Sequence, residues 1–164
     1  KKWFRYDIVW KKSNPTGFLH ANRMPLRIHE MVYIFYKKLP TYNPQKTPLD
    51  KVSKKNQKSQ ESVNYGLTHK AKYNIYTDAH PNSIQYFMNP PHNDPNNKIK
   101  HPTQKPVDAC EWLIRSYSNP GDTVLDFTMG SGSTGVACKN TDRKFIGIEL
   151  NTDYYDTARE RIEL

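Results

Sequence analysis

The sequence predicts an α/β fold, and three observations carry that reading. An apolar run, Val124–Phe127, is followed by a glycine-rich turn and then by a helix-compatible stretch from Val136. A second apolar run, Phe145–Ile148, ends on an acid, Glu149. Between the two runs Gly130, Gly132 and Gly135 spell GxGxxG, with Glu149 nineteen residues after Gly130. Strand, glycine turn, helix, strand, acid is the Rossmann-like order of a nucleotide-type cofactor site.

The remaining elements follow along the chain. Residues 3–10 are aromatic and β-branched and read as a strand, broken by the polar stretch Lys11–Gly17. Residues 31–36 read as a second strand, with Arg23, Arg27 and His29–Glu30 in the loop before it. Residues 41–75 interleave lysines with Asn, Gln and Ser, a composition that predicts a mobile loop. Ile84–Met88 is another short apolar run. Beyond Pro106, apolar residues at Val107, Cys110, Leu113, Ile114 and Tyr117 mark one face of a helix. Pro106 suits its first position, and Asn119–Pro120–Gly121 ends it. A last helix starts after Glu149, capped by Thr152 or Asp153, with Tyr154, Ala158 and Ile162 facing inward.

Charge is divided unevenly. Of the net +9, residues 1–75 carry +12 (16 Lys/Arg, 4 Asp/Glu) and residues 76–164 carry −3 (9 against 12). A basic half beside a mildly acidic one predicts a polyanionic partner for the first half only. Lys11, Lys12, Arg23, Arg27, Lys54, Lys55, Lys70 and Lys72 are the candidate phosphate contacts, and Tyr42, Tyr65 and Tyr73 are candidate stacking residues. Cys110 and Cys138 form no CxxC and have no histidine at ligand spacing, which predicts reduced thiols, no metal site and a cytoplasmic location. No apolar run is long enough to cross a membrane.

The glycine turn alone admits an NAD-linked oxidoreductase. Two details favour a different cofactor. Asp126 ends the first strand directly before the turn, where a carboxylate repels a pyrophosphate but suits an ammonium group. Phe127–Thr128–Met129 also lengthen the path from strand to first glycine. Both favour S-adenosylmethionine, which has a sulfonium and an ammonium and no phosphate. A third reading, a non-enzymatic DNA-binding module built on the basic half, also stands at this point.

Two motifs narrow the choice. His101–Pro102–Thr103–Gln104–Lys105–Pro106, followed by a helix and by Asp126–Phe127–Thr128–Met129–Gly130–Ser131–Gly132–Ser133–Thr134, resembles the amino-DNA methyltransferases. The closest likeness is to the permuted, β-type arrangement of the N6-adenine and N4-cytosine enzymes. The resemblance implies a class I S-adenosylmethionine-dependent methyltransferase fold with a loop-rich target-recognition insertion. Residues 1–40 would supply strands of the catalytic subdomain, 41–100 the target-recognition region and 101–164 the cofactor-binding subdomain. It further implies that Asp126 and the Thr128–Gly132 backbone meet the methionine end of S-adenosyl-L-methionine, with Ser133 and Thr134 completing the motif. Glu149 would hold the ribose hydroxyls, Leu150 would pack on adenine, and Thr103 and Lys105 would lie beside the carboxylate end. The substrate implied is double-stranded DNA, methylated on the exocyclic amine of a flipped base, adenine N6 in preference to cytosine N4.

The same family presents that amine with an Asp/Asn/Ser-Pro-Pro-aromatic tetrapeptide. The nearest match here is Asn89–Pro90–Pro91–His92, which stands in the wrong place and lacks the aromatic. The expectation is therefore that the catalytic motif lies upstream of Lys1, that the fold is incomplete without it, that apolar sheet edges are exposed, and that these residues alone are inactive.

Overall fold

The computed structural model describes residues 2–56, 73–90 and 103–163; of these, the side chains of 54–56, 73 and 74 are left aside. The chain divides into two units, Lys1–Asn43 with Asn82–Leu164, and Pro44–Pro81.

In the larger unit, β1 (Phe4–Thr16) lies between β2 (Arg27–Phe35) and β5 (Ile84–Phe87), antiparallel to the first and parallel to the second. The strand predicted for 3–10 therefore runs on through the polar residues expected to break it. Lys11 pairs with both His29 and Tyr86, and Lys12 pairs with Phe87. Ladder pairing on both sides overrides the polar composition. Pro15 falls where the β1–β2 register shifts, a place that tolerates its missing N–H. By the same pairing, Arg27 and His29–Glu30 are strand residues rather than loop.

The second half supplies α1 (Val107–Tyr117), β6 (Thr123–Asp126), α2 (Ser133–Asn140), β7 (Lys144–Gly147) and α3 (Thr152–Glu163). Strands β6 and β7 pair in parallel, Val124 with Phe145 and Asp126 with Gly147. Pro106 caps α1 from an extended conformation, so the helix starts at Val107, one position later than expected. The cap of α3 is Asn151, not Thr152 or Asp153: its Oδ1 accepts from Asp153 N at 2.9 Å and Tyr154 N at 3.1 Å.

The core is small. Ile114, Ala137 and Cys138 are buried together, with Val107, Cys110, Val124 and Phe145 packed against them. These residues join α1 and α2 to one face of β6–β7. The opposite face is bare: Leu125, Phe127, Ile146 and Ile148 are all more than half exposed. Of the apolar run 124–127, Val124–Asp126 lie in β6 and Phe127 follows it, and helices cover only one side of the strand. β2 shows the same alternation, with Val32 and Ile34 half-buried and Tyr33 and Phe35 exposed. Between β2 and β6 the backbone ladder stops. A cleft of about 530 Å³ takes its place, lined by Val32, Ile34, Tyr36, Leu113, Tyr117 and Val124 among others.

Of the loop expected over 41–75, residues 47–56 and 73–75 are strand instead, and 57–72 lie outside the described residues. Strands β3 (Thr47–Asn56) and β4 (Tyr73–Ala79) form an antiparallel pair, with a Lys46–Asp78 ion pair of 3.0 Å. The β-branched and aromatic residues Thr47, Val52, Tyr73, Ile75 and Tyr76 suffice for a strand pair despite the surrounding lysines.

Candidate functional site

The site grows out of the ends of β6 and β7. Asp126 is the last residue of β6, and β7 leads two residues further to Glu149. Ile148 N donates to Asp126 O at 2.9 Å and Met129 N to Ile148 O at 3.0 Å, so the chain after β6 folds across the end of β7. Met129 is buried there, its sulfur against Gly147, where any Cβ would collide with it.

The turn is then tied down residue by residue. The Asp126 carboxylate accepts from Thr128 N (3.1 Å) and from the Thr134 hydroxyl (2.6 Å). Glu149 accepts from Gly130 N (2.8 Å) through one oxygen and from Asn151 N (3.0 Å) through the other. Gly130 and Gly132 both have positive φ, 52° and 76°. At Gly132 a side chain is excluded twice, by its backbone conformation and by Ala158, whose Cβ lies 2.8 Å from where a Cβ would sit. Arg161 of α3 donates to the carbonyl of Ser131. Burial pushes its guanidinium pKa down, with the neighbouring Cys110 thiol acting the other way.

Of the eleven residues expected to hold the cofactor, nine come together here: Asp126, Thr128, Gly130, Ser131, Gly132, Ser133, Thr134, Glu149 and Leu150. Leu150 is 98% exposed beside Glu149, free to cover a flat ring. The Ser133 hydroxyl is buried and has no hydrogen-bond partner among the described residues. Thr103 is exposed near the start of its described segment. Lys105 is committed elsewhere: its Nζ lies 2.8 Å from Glu30 Oε2 and 5.7 Å from the Trp10 ring centre. Lys12 Nζ lies 3.5 Å from the other Glu30 oxygen. Burial pushes Glu30 up, but its hydrogen bond to Lys105 and the charges of Lys105 and Lys12 outweigh this and hold its pKa below the ordinary carboxylate value.

Among the basic residues, Lys11, Arg23 and Arg27 are exposed. Lys12 is not: it is 7% exposed and bonded to Glu30 and the Thr16 hydroxyl, so it is a structural cation rather than a surface one. The side chains of Lys54 and Lys55, and all of Lys70 and Lys72, lie outside the described residues, as do Pro91, His92, His101 and Pro102. Sequence reasoning missed Glu30, Asn151 and Arg161. The last had one available signal, its place three residues after Ala158 on the inward face of α3.

A glycine loop between two acids at the ends of neighbouring parallel strands defines an α/β protein with a nucleotide-type cofactor site. Residues 1–160 match the DNA methylase family of N6/N4 type, and the chain belongs to that family. The family removes the oxidoreductase alternative. Relatives include the type II methyltransferase M.BglII of Bacillus subtilis, 33% identical over 94% of this chain and 41% of that protein. M.SmaI of Serratia marcescens is 31% identical over 98% of this chain and 47% of that protein. The chain thus spans less than half the length of these curated relatives. Among solved structures, the M1.HpyAVI–SAM complex is 29% identical with a TM-score of 0.62, covering 98% of this chain and 63% of that one. The cytosine-N4-specific PvuII DNA methyltransferase, at 17% identity and TM-score 0.64 over 96% of this chain and 51% of that one, shares the fold. The fold is accordingly the Rossmann-like one expected from the glycine turn.

Proposed function

We propose that this chain is the cofactor-holding part of a DNA amino-methyltransferase and that its ligand is S-adenosyl-L-methionine. The observation that carries this reading is the pairing of two carboxylates, Asp126 and Glu149, with one glycine loop. Two carboxylates that each accept from the loop, Asp126 from Thr128 N and Glu149 from Gly130 N, form an acceptor set that suits a cationic cofactor without phosphate and opposes a pyrophosphate. The exposed Leu150 and the unsatisfied Ser133 hydroxyl fit the same ligand, one as a cover for adenine and the other as a polar atom at the loop's edge. The M1.HpyAVI–SAM complex supports the choice.

In this reading Asp126 takes the ammonium, Glu149 takes the ribose hydroxyls, and the loop backbone fixes the methionine end. The bound cofactor supplies an activated methyl group. The chain's contribution is alignment: it holds that group at the open ends of β6 and β7, where an in-line approach by an amine gains most from fixed geometry. The acceptor is the exocyclic amine of a flipped base in double-stranded DNA, adenine N6 or cytosine N4. Exposed Lys11, Arg23 and Arg27 would meet phosphates. These 164 residues contain no Asp/Asn/Ser-Pro-Pro-aromatic tetrapeptide, so the chain alone binds the cofactor and transfers no methyl group.

Calorimetry tests the first statement. The chain should bind S-adenosylmethionine and its demethylated product, and Asp126→Ala should weaken binding by about tenfold or more. Binding of NADH in their place would overturn it. Nucleoside mass spectrometry of DNA incubated with chain and cofactor tests the second; N6-methyladenine or N4-methylcytosine formed by the chain alone would refute it.

A further inference from the structure

The glycine loop is gripped from both polarities of its backbone. Glu149 accepts the N–H of Gly130, and Arg161 donates to the carbonyl of the next residue, Ser131. The positive φ angles of Gly130 and Gly132 are allowed by glycine but not imposed by it. A glycine loop left alone samples many shapes, so side chains must select this one.

The two grips differ in what binding does to them. In the function proposed above, Glu149 must serve ribose hydroxyls with the same oxygens that now accept Gly130 N and Asn151 N. Its hold on the loop is shared at the moment the loop must be firm. Arg161 has no such second duty. It lies one turn beyond Ala158, the residue that fills the space left by the missing Gly132 side chain. It is half-buried, and among the described residues it makes no ion pair. Its neighbour Arg159, by contrast, is exposed and lies 3.8 Å from Asp156. A guanidinium partly withdrawn from water and aimed at a neutral carbonyl gives up hydration for the geometry it holds.

We propose that Arg161 is the positioning residue of the cofactor loop: it fixes the Ser131 carbonyl from α3 and keeps the 130–133 backbone in its binding shape when Glu149 turns to the ligand. The proposal rests on the S-adenosylmethionine reading of this site. The geometry predicts that Arg161 governs loop order before any ligand is present and governs affinity afterwards.

The test uses the full chain with Arg161→Met, Arg161→Ala and Arg161→Lys, and Arg159→Met as the exposed control on the same helix. Amide hydrogen exchange over 130–133 in ligand-free protein should speed up in Arg161→Met and stay unchanged in Arg159→Met. At a temperature where every variant is folded, Arg161→Met should lose about tenfold in S-adenosylmethionine affinity. Arg161→Lys should recover part of it, and added guanidinium ion should restore Arg161→Ala while leaving the parent chain unaffected. Unchanged loop exchange in Arg161→Met, or equal affinity in folded protein, overturns the proposal. If the parent chain binds no S-adenosylmethionine, the cofactor reading fails, and the ligand-free exchange experiment still decides whether Arg161 orders the loop.

Discussion

Glu30 shows how one side chain sets the meaning of three others. Its carboxylate sits between Lys12 of β1 and Lys105 of the Pro-bracketed loop, and so ties the sheet to the entrance of α1. From sequence, Lys12 is one more cation in a basic half and Lys105 one more cofactor contact. Glu30 carries no pattern that marks it as their partner, because β1–β2 pairing, not spacing, brings it to them. Its pKa is lowered on folding, so the stabilisation is present above the ordinary carboxylate pKa and is lost as pH falls through the folded value. Glu30→Gln should cost about 1–3 kcal/mol at pH 7, mainly by leaving buried Lys12 without its counter-charge. In paired thermal melts from pH 7 downward, the gap between parent and variant should narrow below about pH 4. A gap independent of pH would exclude the ion pair as its source.

At the scale of elements, α3 is the support on which the glycine loop rests. Asn151 opens it, Ala158 fills the space beside Gly132, and the Cδ1 end of Ile162 occupies the position a Gly135 side chain would need. The inward spacing of Tyr154, Ala158 and Ile162 is plain in the sequence, since a helix of period 3.6 writes its buried face at four-residue intervals. The cap is less legible: Asn151, Thr152 and Asp153 are all good caps, and only backbone geometry chooses among them. Asn151→Ala should destabilise the chain by about 1 kcal/mol, read as a shift in urea midpoint at constant slope. Thr152→Ala should leave it unmoved. The strand boundaries of β1 and β2 escaped sequence reading for the opposite reason. A strand's extent is set by its neighbours, and residues such as Lys11 and Arg27 join β1 and β2 because partners are waiting for them.

In the larger unit the β6–β7 pair has one face open. Parallel strands such as β6 and β7 are ordinarily covered on both faces, yet here helices cover one face and Leu125, Phe127, Ile146 and Ile148 stand open on the other. Tyr33 and Phe35 repeat the pattern on β2. The open faces follow from alternation, because residues one apart on a strand point opposite ways. Contiguous apolar surface of this kind binds dyes and other proteins. The chain alone should enhance the fluorescence of an apolar dye and associate with rising concentration in sedimentation, and Tyr33→Ser with Phe35→Ser should reduce both. A cooperatively melting monomer that ignores the dye would contradict this account.

The small core has a use of its own. Cys110 and Cys138 flank the seam between α1 and α2, and burial pushes both thiols up to about 11. At pH 8 that leaves only about one in a thousand as the reactive thiolate. Cys138 is fully buried, so its alkylation waits until the seam opens, and its sulfur acts as a stopwatch for local unfolding. Since α2 begins where the glycine loop ends, a ligand that steadies the loop should slow the stopwatch. Mass spectrometry of iodoacetamide uptake, with and without S-adenosylmethionine, would then report binding in a protein whose chemistry needs no turnover to be seen.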